Sequence, residues 1–335
     1  MTDIRQRKDD HIALAMQEDH QRTALSTFDQ VCFEHIALPE LALDDIDIKT
    51  TFLGNTVSCP LIIGAMTGGC DNGERINRHL AEAAEQAKIP MALGSQRASL
   101  ELGLPQKIRQ WAPTAVILGN LGATQLQQHG LDFAMQAIET TSANALVIHL
   151  NPLQELIQPN GDRDWRFVLD TIHRCCEAAT VPVIVKEVGF GIGHSTAKKL
   201  FEAGVSWIEV AGRGGTSWAS IEMARISDAY EQQIAAPFLN WGMDTVTLLK
   251  QLNELEHNIN VIGSGGVRHG LDIARCIRLG AKMTALAQPF LGPALDSTEQ
   301  VINKITLLSE QLRWAMFLTG SPNLDSLQRA PLMTT

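Results

Sequence analysis

No CxxC pair occurs anywhere in the sequence, and none of its six cysteines, Cys32, Cys59, Cys70, Cys175, Cys176 and Cys276, stands at the Cys/His spacing of a zinc site. That excludes a zinc module, and the cysteines are expected to be reduced packing residues. No stretch approaches the roughly 20 uninterrupted apolar residues of a membrane span. The N-terminus, MTDIRQRKDDHIALAM, is charged every few residues and lacks the apolar core of a secretory signal, so the expected compartment is the cytoplasm. Positive charge is in deficit, with 27 Lys and Arg against 37 Asp and Glu and a net charge of −10, which argues against a nucleic-acid surface. An acidic chain can still draw anions into a cleft, because local Arg, Lys and helix N-termini set the potential there. The GxGxxG fingerprint of a doubly wound sheet is also missing, since the first apolar run ends in Ala65-Met66-Thr67-Gly68-Gly69.

What is present is alternation. The 335 residues are 45% hydrophobic and 19% charged, a globular profile at a length that one α/β barrel with loop insertions can use. Short β-rich runs recur at Leu61 to Met66, Met91 to Gly94, Ala115 to Asn120, Ala145 to Leu150, Val183 to Val188, Trp207 to Ala211, Asn260 to Gly263 and Met283 to Gln288. Between the first two, Glu74 to Lys88 sets Ile76, Leu80, Ala83, Ala84 and Ala87 on one helical face, as a crossover helix requires. STAKKLFEAG leads into VSWIEVAG, and GLDIARCIRLG into AKMTALAQ, with Gly204 and Gly280 where helix C-caps fall. Eight strands alternating with helices predict a parallel, closed (β/α)8 TIM barrel, one domain over residues 1–335. Residues 1–60 form an N-terminal extension that contributes to the substrate site. The stretch from Gly214 to about Asp244 is an insertion after the sixth strand, expected to act as a partly mobile lid over the catalytic face.

The chemistry-bearing residues cluster at strand C-termini. Gly263 to Gly266 follows the seventh strand and precedes a helix near Gly270, so its N–H groups can face a phosphate, although an isolated GSGG is equally a plain tight turn. Gly212-Arg213-Gly214-Gly215-Thr216 is a second loop of that kind, and the two suggest one phosphate gripped from both sides. Ala287-Gln288 ends strand eight, where barrels commonly bind phosphate. Lys186 ends an otherwise fully apolar strand and needs an anionic partner, either a ligand or an ion pair with Glu187 or a neighbouring strand. His149-Leu150-Asn151-Pro152-Leu153-Gln154-Glu155 places several hydrogen-bonding side chains on one loop, with Glu155 a hard oxygen ligand suited to Mg²⁺. A single His at a strand end is often only a satisfied core residue; the convergence of polar groups is what marks this loop. Ser95-Gln96-Arg97 and Asn120 add donors at the same face. Arg7-Lys8-Asp9-Asp10-His11 reads, on composition alone, as a solvated charge run.

Taken in order, RKDDHI, MTGG, GSQR, GNLG, HLNPLQE, GDRDW, VKEVGFG, AGRGGTSW, NWG and SGGVRHGLD resemble the type 2 isopentenyl diphosphate isomerases, from about Arg7 to Ala294. The resemblance implies an FMN-dependent barrel that interconverts isopentenyl and dimethylallyl diphosphate with reduced flavin and Mg²⁺, NADPH serving as reductant, in a tetramer or octamer. It implies FMN contacts at Ala65, Met66, Thr67, Ser95, Asn120, Lys186, Thr216, Gly265, Gly266, Val267, Ala287 and Gln288. In that setting Lys186 stabilises negative charge on the reduced isoalloxazine. The diphosphate is implied to lie against Arg7, Lys8, Arg97, His149 and Asn151, with Mg²⁺ on Glu155 and Gln154 facing the alkene. Gln154 is an amide and a poor general acid, so reduced FMN is implied to supply acid–base function beside it. Glu222, in the lid segment, is either a catalytic relay or a surface carboxylate. The chain departs from the family pattern at Asn160, in QPNGDRD where the family has QPEGDRD, and at Asn240, in NWG where it has DWG. Both exchanges put local loop packing in doubt more than reaction type.

The rival reading is an FMN-dependent 2-hydroxy acid oxidase, which needs a His base and paired Arg on the sixth-strand loop; here Arg213 stands alone before Gly214-Gly215-Thr216-Ser217-Trp218. A nucleotide dehydrogenase barrel needs a nucleophilic Cys after strand six, and none lies between Cys176 and Cys276. A flavin-storage or interaction barrel has no use for a metal-ligand and diphosphate cluster such as HLNPLQE.

Overall fold

The protein was analysed as a computed structural model that describes residues 2–66, 71–255 and 259–333. A two-stranded antiparallel hairpin, β1 (Thr50–Phe52) and β2 (Asn55–Val57), precedes the barrel. The barrel strands are β3 (Leu61–Ile63), β4 (Met91–Ala92), β5 (Ile117–Gly122), β6 (Ala145–His149), β7 (Val183–Lys186), β8 (Trp207–Glu209), β9 (Asn260–Ser264) and β10 (Met283–Leu286). All pair in parallel, and β10 closes on β3. Each of the eight expected runs supplies one strand, and β3 and β4 are shorter than the apolar runs that contain them. Among the described residues no helix is long and apolar enough to cross a membrane.

Strands buried on both faces need apolar residues at successive positions, and these have them. One set, including Ile62, Leu118, Val147, Ile184 and Ile262, fills the barrel interior. The alternate set, including Leu61, Ile63, Ile117, Ile148 and Val185, packs outward against the helices. The first crossover helix runs Asp71–Ala87, with Ile76, Leu80, Ala83 and Ala84 buried as the periodicity requires. Gly204 and Gly280 both have left-handed φ, +92° and +99°, at the ends of their helices, as expected of C-terminal caps.

Two features of the extension and insertion differ from expectation. The hairpin is a floor rather than part of the site: Phe52, fully buried, meets Trp207 of β8 edge-on at 4.9 Å and joins the interior cluster at the strands' N-terminal end. The insertion after β8 is only in part peripheral. Its helix Trp218–Arg225 buries Ala219, Ser220, Ile221 and Glu222, and a separate apolar cluster ties it to Leu153, Ile157 and Phe190. Its second helix, Ala229–Ala235, and the turn after it carry the exposed Tyr230, Ile234 and Phe238. The cysteines also divide. Cys59, Cys175 and Cys276 are buried packing residues and Cys176 is half-buried, but Cys32 is exposed, and Cys70 lies outside the described residues.

Truncating the floor should cost stability without touching the opposite end. Phe52→Ala is expected to lose about 3–5 kcal/mol, the usual cost of a deleted core phenylalanine. The measurement is a urea unfolding curve, with the midpoint lowered and the slope unchanged.

Candidate active site

The interior of the barrel changes character at one level. Two residues beyond the apolar side chains Leu118, Val147, Ile184, Trp207 and Ile262, the strands β5 to β9 present Asn120, His149, Lys186, Glu209 and Ser264. Period-2 alternation makes these five one polar layer on top of the apolar core. Strand register sets His149 opposite Lys186 and Lys186 opposite Glu209.

The layer is internally paired. Asn120 donates from Nδ2 to the Leu93 carbonyl at 2.8 Å, which leaves its Oδ1 to accept from His149 Nδ1 at 2.8 Å. His149 is thereby fixed with Nε2 as its unprotonated nitrogen. Burial, reinforced by the Lys186 charge, lowers the imidazole pKa to about 3, so the ring is neutral at physiological pH. Lys186 Nζ lies 3.6 Å from Glu209 Oε1 and donates to the Glu187 carbonyl. Of the two partners expected for Lys186, the neighbouring strand provides the charge. The Glu187 carboxylate is occupied elsewhere, accepting the N–H groups of Val188, Gly189, Phe190 and Gly191; burial pushes its pKa up to about 7 against those four bonds.

Above this layer, Asn151-Pro152 starts the helix Pro152–Ile157, with Pro in the first turn where its missing N–H costs nothing. Asn151 Nδ2 donates to Glu155 Oε1 at 2.9 Å and to Gln154 Oε1 at 3.2 Å, while Asn151 Oδ1 is buried with no donor among the described residues. Gln154 Nε2 donates to Glu222 Oε1 at 3.0 Å. Glu222 is fully buried, so its reading as a surface carboxylate is overturned. Burial alone would raise its pKa, but His11, Gln154 and Arg225 outweigh that and hold it below the ordinary value.

The N-terminal segment closes one side. His11, in the helix Thr2–Ala15, lies 2.9 Å from Glu222 and meets Trp218 edge-on at 5.0 Å. His20 bonds Ser220 at 2.8 Å, Thr216 Oγ1 donates to Gln21 Oε1 at 3.0 Å, and the Arg22 N–H donates to the Gly215 carbonyl at 2.8 Å. The sixth-strand loop is therefore strapped down rather than free. It also touches the seventh: a Cβ on Gly265 (φ +93°) would fall 2.0 Å from the Gly212 carbonyl, and one on Gly266 (φ +73°) 2.6 Å from the Gly214 backbone. Only glycine permits that approach. Among the described residues, the N–H groups of Gly265, Gly266 and Val267 have no acceptor within the chain. Beside them, Ala287 and Gln288 open the helix Gln288–Asp296.

One cavity of about 540 Å³ joins all of this. Arg7, Lys8, Ala65, Met66, Ser95, Arg97, Asn120, His149, Asn151, Gln154, Glu155, Lys186, Thr216, Gly265, Gly266, Val267, Ala287 and Gln288 line it. Arg7 and Lys8 thus line the cavity rather than forming part of a fully solvated run. Glu222 stands behind Gln154 and does not line the cavity, and Thr67 lies outside the described residues. Sequence reasoning missed Glu209, Ser264, His11 and Gln21, which also line it. Glu209 and Ser264 had a usable signal, a polar residue two after an interior apolar one, as at Lys186. The two departures from the family pattern both lie on exposed positions. Asn160 is exposed with φ +58°, a conformation Asn tolerates, and Asn240 is exposed and serves Arg213 through its backbone carbonyl at 2.7 Å. The cradle of N–H groups, a cation at the opposite wall and this volume fit a phosphorylated heterocycle.

Known proteins point the same way. The family profile for FMN-dependent dehydrogenase matches residues 11–112 and 124–334. The chain is 45% identical over 336 residues to an isopentenyl-diphosphate delta-isomerase of Cronobacter sakazakii, covering 98% of this chain and 97% of the relative. It is 46% identical over 337 residues to the protein of that name from Halobacterium salinarum, covering 98% and 93%. Among solved structures, a mandelate oxidase variant superposes with TM-score 0.66 at 17% identity over 99% of this chain and 95% of that one. A lactate oxidase of Pediococcus acidilactici does so with TM-score 0.66 at 17% identity over 98% and 87%. At that identity the likeness is one of fold.

Two outcomes test the geometry. Gly265→Ala should weaken the affinity for added FMN at least about tenfold, read by flavin fluorescence quenching, because the new Cβ forces the two glycine loops apart. The neutral His149 should make the ligand-free protein acid-sensitive. Its folded pKa, about 3, lies below the ordinary 6.5, so between those values the unfolded chain binds the extra proton and stability falls as pH falls. Between pH 7.5 and 5 this contribution is at most about 2 kcal/mol, and urea midpoints should fall less for His149→Asn than for the wild type.

Proposed function

Because the chain belongs to the FMN-dependent dehydrogenase family and, within it, to the isopentenyl-diphosphate delta-isomerases, we propose that it interconverts isopentenyl and dimethylallyl diphosphate with reduced FMN and Mg²⁺, without net redox change. The observation that carries the reading is the buried chain Asn151–Gln154–Glu222–His11 on the wall facing the glycine cradle, with Glu155 beside it. A cradle alone would suit any flavin barrel. An oriented amide backed by an ionised carboxylate, beside a second carboxylate and several cations, suits a diphosphate carrying an alkene.

The residues divide the work. Gly265, Gly266, Val267, Ala287 and Gln288 offer backbone N–H groups to the FMN phosphate, and Lys186 faces the ring system. Arg7, Lys8, Arg97, His149 and Asn151 take the substrate diphosphate. His149 carries no proton on Nε2 and binds a phosphate oxygen there only by gaining one, which the approaching anion favours. Glu155 is oriented by donors on both oxygens: Oε2 accepts the Asp162 N–H at 2.8 Å and, at 3.5 Å, Gln158 Nε2, while Oε1 accepts from Asn151 at 2.9 Å. A Mg²⁺ ion held by this one carboxylate, the substrate phosphates and water fits the usual preference of that ion. The double-bond shift needs a proton added at one carbon and removed from another, through tertiary cationic character. Reduced FMN supplies acid–base function there when bound. Gln154, held by Asn151 and Glu222, orients the alkene, and the Glu222 charge behind it favours developing positive charge. Trp218 and His11 wall the pocket. NADPH as reductant, a cytoplasmic setting and a homo-oligomer belong to the same proposal.

The test is anaerobic incubation with FMN, Mg²⁺, NADPH and isopentenyl diphosphate in D₂O, followed by NMR. Dimethylallyl diphosphate carrying solvent deuterium is expected, and should be lost when the reductant is omitted or in Glu155→Gln. No product from a protein with fully bound FMN would overturn the proposal and favour a 2-hydroxy acid oxidase.

A further inference from the structure

The polar layer holds a carboxylate that the chemistry above does not use. Glu209 lines the same cavity as Lys186, with both residues almost wholly buried, 5% and 8% exposed. Its Oε1 lies 3.6 Å from the Lys186 ammonium and accepts from Ser264 Oγ at 2.9 Å. Ser264 Oγ in turn accepts the Ala211 N–H at 3.0 Å, which directs its hydroxyl proton at Glu209. The carboxylate is therefore held in place from behind. Among the described residues the Lys186 ammonium otherwise donates to the neutral Glu187 carbonyl, and Glu209 is its one charged partner. A negative charge is the wrong sign for a wall that stabilises an anion, and a buried pair costs desolvation that an uncharged wall would avoid. Its presence needs a use.

We propose that Glu209 is a positioning residue that aims Lys186 at the bound flavin and attenuates its charge, and so sets the reduction potential of FMN. The inference rests on FMN occupying this cavity. On reduction FMN takes up two electrons and one proton and is left with one negative charge. Lys186 favours that state, and Glu209 limits by how much. Without the carboxylate the ammonium would have only the carbonyl and the reduced flavin to pair with, and would pull the equilibrium further toward reduction.

The experiment is a dithionite titration of the FMN-loaded protein against a reference dye, with FMN stoichiometry read from absorbance. Glu209→Gln keeps the shape and the Ser264 contact and is expected to favour reduction at least about tenfold, about 30 mV more positive for a two-electron couple. Lys186→Gln is expected to move the potential the other way, and in that background the Glu209→Gln shift should fall to less than half. Glu209→Asp, which keeps the charge but draws it back from Lys186, should shift the potential in the same direction by a smaller amount, and carries the test if the Gln variant does not fold. A purely structural role would lower the melting temperature and leave the potential unchanged, which overturns the inference. So does an equal shift with and without Lys186, which would mean that Glu209 acts on the flavin directly. Wild-type protein that takes up no FMN would instead sink the cofactor reading itself.

Discussion

A single ammonium inside a β-barrel constrains much of this molecule. Lys186 stands where the apolar interior ends, and an unpaired charge at that depth would cost several kcal/mol. The neighbouring strand answers with Glu209, Ser264 steadies Glu209, and His149 on the other side stays neutral because it is buried and because a second cation beside Lys186 is disfavoured. Each pairing depends on parallel register, which sets residues of adjacent strands side by side at a fixed height. A one-residue slip of β7 or β8 would turn the charge outward into the helix layer and its partner away from it. The floor at Phe52 and Trp207, at the other end, keeps the interior below this layer dry. Low local dielectric then makes the charges above it effective on a ligand.

The second constraint is backbone approach. The loops after β8 and β9 come together through glycines that line the cavity, and the N–H groups of Gly265, Gly266 and Val267 find no acceptor among the described residues. Loops so rich in glycine lose much entropy on ordering. Residues 20–22 offset part of that loss by bonding the sixth-strand loop directly, and Asp29 reaches Arg268 and Arg275 at 3.1 and 3.0 Å from the far side. The N-terminal extension thus supplies more than the cavity-lining Arg7, Lys8 and His11. It also holds the cradle's shape, which is why a barrel of eight short strands needs a long leader to complete its site.

Much of this was legible in sequence, and the failures have physical causes. The eight strands could be read because buried parallel strands are continuous apolar runs between helical periods. The lining of the cavity could be read because strand ends and glycine-rich turns are local signals. The hairpin at Thr50–Val57 was missed because its strands are three residues each and its turn, Leu53-Gly54, takes positive φ at both positions, one of them a leucine that turn chemistry does not favour. The pairings of Lys186 with Glu209, His11 with Glu222 and His20 with Ser220 were hidden for a different reason. They join residues 23, 211 and 200 positions apart, and nothing but the closed topology says that they meet. The interior side of Glu209 was in principle readable, since it follows Trp207 at the spacing by which Lys186 follows Ile184. A glutamate in a short strand was simply not read as facing inward.

The mouth also shows why net charge was a weak guide to the ligand. Across the whole chain acids outnumber bases and the net charge is −10. The cavity reverses that balance: Arg7, Lys8, Arg97, Lys186, Arg268 and Lys304 line it against only Glu155 and Glu209. Inside a cleft with low-dielectric walls the local excess of cations sets the field, while the acidic outer surface is screened within about 8 Å at physiological salt. The two carboxylates that remain are both committed, Glu209 to Lys186 and Glu155 to Asn151 and the Asp162 N–H. The cleft therefore carries an excess of cations along its lining and a paired charge at the depth where Lys186 stands, so that its field attracts anions although the chain as a whole is acidic.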